Sequence, residues 1–192
     1  MNKKEDEKII LKKFIRVYQE TIDSSSSFEI LEKESAEKIF PNYNGENPDF
    51  VVLFNGKYIG IKIFELIRNK LEDLNKNLSE RDLDIKNAAH LHAIRKGNES
   101  NFLYLMEDLA YAALDRINDK IRNKLDNYID CPIWLIGYAS KSYNLFLLSQ
   151  YFEDKIEKKV ASFISKNVLN DDKINKLFLA EFSNKNLLLE IK

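Results

Sequence analysis

Residues 46–66, ENPDFVVLFNGKYIGIKIFEL, decide how this chain is read. Two runs rich in β-branched and aromatic residues, 50–54 and 58–64, flank Asn55-Gly56, the pair that most readily takes the two positive φ angles of a tight turn. The stretch reads as a β-hairpin. Pro48 has no amide hydrogen and biases Asn47 towards extended backbone, which puts the start of the first strand at or just after Asp49. Along the second strand Gly60, Lys62 and Phe64 share one face, and Ile61, Ile63 and Glu65 share the other. A carboxylate at a strand mouth, beside a strand that carries a polar residue, is where metal and phosphate sites are often built.

This arrangement resembles the PD-(D/E)XK nuclease superfamily, the restriction-endonuclease-like fold. In that family a Pro-Asp opens one strand of a hairpin, and the next strand carries an acid, any residue and a lysine. The resemblance implies that the two acids hold a divalent metal and that the lysine orients or activates the attacking water. Pro48-Asp49 matches the first half of the pattern. The second half departs from it: related sequences read like Ile-Gly-Ile-Glu-Ile-Thr-Glu-Leu, and this chain reads Ile59-Gly60-Ile61-Lys62-Ile63-Phe64-Glu65-Leu66. In one register Lys62 stands at the metal-binding glutamate and Phe64 at the lysine. In the other, Lys62 is the motif lysine and Gly60 replaces the acid. Both registers lack one metal-binding carboxylate, and Glu65 lies on the wrong face to supply it without a bulge.

An ammonium group in place of a magnesium ligand removes an oxygen and adds like-charge repulsion. The expectation is therefore that Lys62 pairs with Asp49 and fills the site, so that no cofactor is needed. An active enzyme would instead hold Mg²⁺ or Mn²⁺ on Asp49, with Lys62 at the water. The family's first helix often adds a glutamate, for which Glu20 is the candidate here, although a solvated surface role for Glu20 is the better supported reading.

Composition narrows the field. At 192 residues the chain is long enough for one domain with a sizeable core, here taken as residues 1–192 with a helical insertion over 66–100. No apolar run reaches the roughly 18 residues that a membrane span needs, and the charged start is unlike a secretory leader, so the expected location is cytoplasmic. A net charge of −1 supplies no global field for nucleic acid, and a nucleic-acid partner would need a local basic patch. The single cysteine, Cys131, excludes an internal disulfide. Only 5 glycines are present, too few to hide a phosphate-binding loop, and no Gly-x-Ser-x-Gly elbow occurs.

In chain order, residues 6–22 read as an amphipathic helix with Ile10, Phe14 and Val17 inward. Residues 28–33 read as a strand, and 35–45 as a turn-rich approach to the hairpin. Helical stripes follow at Ile67, Leu71, Leu74 and Leu78, and at Ile85, Ala89 and Ala93; His90 and His92 in the second point to different sides and are poor co-ligands. The longest helix is expected from Ser100 or Asn101 to Tyr128. Its stripe of Arg116, Lys120 and Lys124 reads either as a phosphate-contacting face or as a solvated face paired with acids such as Asp119, the second slightly favoured. Residues 132–138 form a continuous apolar run, the mark of a strand buried on both faces. Residues 143–165 read as one or two helices, and 177–180 with 187–191 as a closing hairpin.

The expectation is an α/β protein, a mixed central β-sheet flanked by helices with a restriction-endonuclease-like core. Its function is expected to be that of a nuclease-fold protein with a disabled metal site, binding nucleic acid or a protein partner such as a toxin or nuclease in bacterial defence or competition. The alternative is an active metal-dependent nuclease acting on DNA or RNA. No membrane partner is expected, and a homodimer stays open.

Overall fold

The computed structural model describes residues 3–66, 99–122, 127–139, 155–182 and 186–192. These form an α/β architecture in which a six-stranded mixed sheet is flanked by four helices. In chain order the elements are α1 (Lys3–Thr21), β1 (Phe28–Ile30), α2 (Lys33–Ile39), β2 (Phe50–Phe54), β3 (Lys57–Glu65), α3 (Glu99–Arg122), β4 (Ile133–Ala139), α4 (Lys155–Asn167), β5 (Ile174–Glu181) and β6 (Leu187–Glu190). The strands lie side by side in that same order. β1, β2 and β3 form an antiparallel meander, β4 runs parallel to both β3 and β5, and β6 closes the sheet antiparallel to β5.

The hairpin forms as its sequence dictates. Asn55 and Gly56 take φ angles of 47° and 79°, the two positive values of a turn whose twist matches that of the strands. The Asn55 side chain then accepts the Ser27 amide at 2.8 Å, which ties the loop before β1 to the turn. β4 is central, as its unbroken apolar run implies, and Trp134, Leu135 and Ile136 are each at most 1% exposed.

Two layers of core cover the sheet. On one face Leu11, Phe14, Val17 and Tyr18 of α1 pack on Ile59, Ile61, Ile63, Trp134, Ile136 and Phe178. The rings of Phe14, Tyr18, Phe28, Phe54, Trp134 and Phe178 form a continuous cluster there, mostly in edge or tilted contacts. On the other face Ala110, Ala113, Ile117 and Ile121 of α3, with Val160 and Ile164 of α4, pack on Phe64, Ile133, Leu135, Leu177 and Leu179. Two parallel connections with both helices on one face are the usual way of building such a sheet.

Three sequence-based boundaries are corrected. Residues 33–39 are helical, where strand and turn were expected: Lys33, Glu34, Ala36, Glu37 and Lys38 favour helix, Ala36 is fully buried, and Pro41 forces Phe40 out of the helical region, to φ −123° and ψ 92°. α1 begins at Lys3, several residues before its apolar stripe. Tyr128 does not end α3; it sits in an irregular stretch with its ring buried in the α3-side core. The helical stripes over 67–78 and 84–96, including His90 and His92, and the segment 143–154 lie outside the described residues. No described helix is long and apolar enough to cross a membrane.

Candidate functional site

The candidate site lies where β2 begins against the far half of β3. β2 opens at Phe50, which pairs with Ile61, so Ile63 extends past the strand that would receive its amide. Asp49 supplies the missing acceptor: Oδ2 accepts the Ile63 N–H at 2.7 Å, and the Asp49 N–H donates to the Ile61 carbonyl at 3.0 Å. A buried amide left unpaired would cost about 1–3 kcal/mol, so the carboxylate acts as a continuation of the ladder. Its other oxygen, Oδ1, accepts Lys62 Nζ at 2.6 Å, and both residues are buried, at 3% and 7% exposure. Lys62 also donates to the Glu46 carbonyl at 2.7 Å.

The loop that carries Asp49 is held from several sides. Asn44 Oδ1 accepts the amides of Glu46 and Asn47, Gly45 takes a φ of 79°, and the Tyr43 hydroxyl donates to the Asp49 carbonyl at 3.1 Å. From the first turn of α1, Lys4 Nζ reaches the carbonyls of Gly45 and Asp49, each at 2.6 Å, and lies 4.6 Å from the centre of the Phe50 ring. One turn further along α1, Glu7 lies within electrostatic reach of Asp49, Lys4 and Lys62, its side chain 13% exposed and paired with Lys3 at 3.5 Å.

Burial and then the Asp49 charge raise the Glu7 carboxyl above the ordinary carboxylate value, against the pull of the neighbouring lysines. Burial lowers the Lys4 ammonium. The Tyr43 phenol is pushed up to about 12 by burial, with Asp49 and Glu37 adding to it, and burial followed by Asp49 and Asp119 raises Tyr128 as well. A carboxyl raised by folding weakens the fold progressively as pH climbs from its unfolded value through its folded one. Glu7→Gln should therefore raise the urea midpoint at pH 7, and that gain should vanish below about pH 4, where the unfolded carboxyl is itself protonated. An equal gain at both pH values would show that the Glu7 charge is not under this strain.

Of the residues singled out from sequence, Asp49 and Lys62 meet. Glu20 does not join them: it is 58% exposed, faces Arg16 at 3.6 Å, and sits thirteen residues beyond Glu7, about 20 Å further along the helix. The acid that α1 brings towards Asp49 is Glu7. The basic stripe is also not an open face. Lys120 is 6% exposed and lies 3.8 Å from Asp119, Arg116 is about a quarter exposed and approaches the same carboxylate, and Lys124 lies outside the described residues. Lys4 and Glu7 escaped sequence reading because they precede the apolar stripe that marks α1. Their spacing of three, which puts two opposite charges on one helix face, was the signal available.

The metal that the resemblance implies does not fit these residues. Asp49 Oδ1 is taken by an ammonium group at 2.6 Å and Oδ2 by a backbone amide. Position 60 has no room for a carboxylate, since a Cβ built there stands 2.8 Å from Pro48 Cγ and 2.5 Å from Ile133 Cδ1. Among the described residues no group of three or more His, Cys, Asp or Glu side chains is placed to hold a metal ion.

Fold and site together define a six-stranded mixed α/β protein with a buried aspartate–lysine pair at a strand mouth. Comparison with protein-family models, curated proteins and solved structures gives no match.

Proposed function

We propose that this chain is a catalytically disabled relative of the PD-(D/E)XK nucleases, which works by binding a protein partner of the toxin or nuclease type in bacterial competition. The observation that carries the reading is the 2.6 Å contact of Lys62 Nζ with Asp49 Oδ1. It puts a positive charge where a relative would keep a dication, and it does so in a hairpin opened by Pro-Asp. The element order supports the kinship: a helix, a three-stranded meander and a helical crossover to a parallel fourth strand follow the order of the nuclease-like core. The crowding at position 60 favours the register in which Lys62 replaces the second acid.

The distribution of charge supports a protein over a nucleic acid. Net charge is −1, Lys120 is buried and Arg116 faces Asp119, so these two residues of the basic stripe offer a phosphate backbone little positive charge. Fold alone does not assign a partner, and the assignment rests on these local features.

The test is a cleavage assay with Mg²⁺ or Mn²⁺ on single- and double-stranded DNA and RNA, paired with calorimetric titration of either ion. The natural chain should neither cut nor bind the ion stoichiometrically, and a protein should co-purify with it in fixed ratio. Cleavage that disappears with Asp49→Ala would overturn the reading.

A further inference from the structure

The loop at the site turns an unusual number of oxygens towards positive charge. Lys4 takes the carbonyls of Gly45 and Asp49, and Lys62 takes the carbonyl of Glu46 and the carboxylate Oδ1 of Asp49. Four oxygens within five residues thus receive two ammonium groups at 2.6–2.7 Å, and the Glu7 carboxylate stands in the field of both. Backbone carbonyls combined with carboxylates are the donors that a hard divalent cation selects, and calcium-type ions accept such sets in flexible geometry. Two ammonium groups carry the same total charge as one such ion.

We infer that Lys4 and Lys62 act together as a built-in substitute for a divalent cation, which holds the 45–49 loop and the start of α1 in place without metal. Lys62 is the buried half and Lys4 the solvent-facing half. Asp49 and Glu7 supply two negative charges in the field of Lys4 and Lys62, with Lys3 on the outer side of Glu7. This inference rests on the reading of a disabled nuclease site and adds Lys4 and Glu7 to it. It also makes a demand that the kinship alone does not: once the ammonium groups are removed, the same oxygens should accept a metal.

The experiment compares the natural chain with Lys4→Met, Lys62→Met and the double variant, following thermal unfolding in EDTA, Ca²⁺ and Mn²⁺. The natural chain should melt at the same temperature in all three. The double variant should melt lower in EDTA and regain roughly 4 °C or more in saturating Mn²⁺ or Ca²⁺, a gain that grows with ion concentration and is lost when Glu7→Gln is added. If the double variant does not fold, Lys4→Met serves: faster hydrogen exchange over the first turns of α1, slowed by Mn²⁺, supports the substitution. Variants indifferent to both ions, or a Lys4→Met chain with unchanged exchange, would overturn it. A natural chain stabilised by Mn²⁺ would instead sink the reading of a disabled site.

Discussion

Lys62→Met should destabilise the chain by about 3–5 kcal/mol, read as a lowered urea midpoint with the transition slope unchanged. The size follows from what stays behind. Asp49, 3% exposed, would be left with the Ile63 amide and the field of the more exposed Lys4 ammonium, and the Glu46 carbonyl would lose its donor. Removing one member of a buried ion pair is costly because the other remains desolvated, whereas replacing both members by apolar groups can be close to neutral. Here the second rule is blunted, because Asp49 also terminates the β2–β3 ladder. Asp49→Leu combined with Lys62→Met should therefore lose less than the two single losses added together, yet stay below the natural chain by the value of one buried amide, about 1–3 kcal/mol. A loss of under about 1 kcal/mol for Lys62→Met would mean that water reaches the pair in solution.

The second large effect is expected at position 60. Gly60→Asp is the substitution that would restore the acid in the register where Lys62 is the motif lysine. It should cost about 3 kcal/mol or more and restore no cleavage. The Ile133 methyl, 2.5 Å from a Cβ at this position, lies at the end of a flexible side chain and could turn away. Pro48 Cγ at 2.8 Å and Cβ at 3.3 Å belong to a ring closed onto the backbone beside Asp49, so a pucker change relieves the contact only in part. The new carboxylate would also add a negative charge near a site where Lys62 and Lys4 are already engaged by the 45–49 loop. Gly60→Ala separates the causes: it should carry the steric part of the loss, roughly 1–3 kcal/mol, and none of the electrostatic part. If Gly60→Asp bound Mn²⁺ and cut nucleic acid, the proposed reading of a disabled metal site would fall.

Much of the fold could be read from local chemistry. Asn55-Gly56 specified the turn and with it the β2–β3 register, which places Lys62 across from Asp49. The unbroken apolar run of 133–136 specified a central strand, because only burial on both faces tolerates Trp134 and Leu135 side by side. What escaped notice has equally local reasons. α2 was hidden by Pro41 and Asn42, strong turn signals that lie just past its end, while the deciding contact, Ala36 against Tyr43, Val51 and Ile129, joins residues far apart in sequence. Helix periodicity gives the face of an acid and says nothing of which end of the helix meets the sheet, so the sequence pattern does not single out Glu7. Lys120 lies one step from the apolar stripe, and a long side chain at that boundary can be drawn inward by packing that no single-helix pattern contains.

The Asp49 carboxylate that completes the strand ladder changes what a Pro-Asp pair in such a hairpin is worth as a diagnostic. An aspartate that receives the Ile63 amide answers a demand of folding, whether or not any bond is ever cut. On the proposed reading, a chain of this kind could do without the second acid and still need the first to complete its ladder. On that reading the informative position is the one across the ladder, where Lys62 stands.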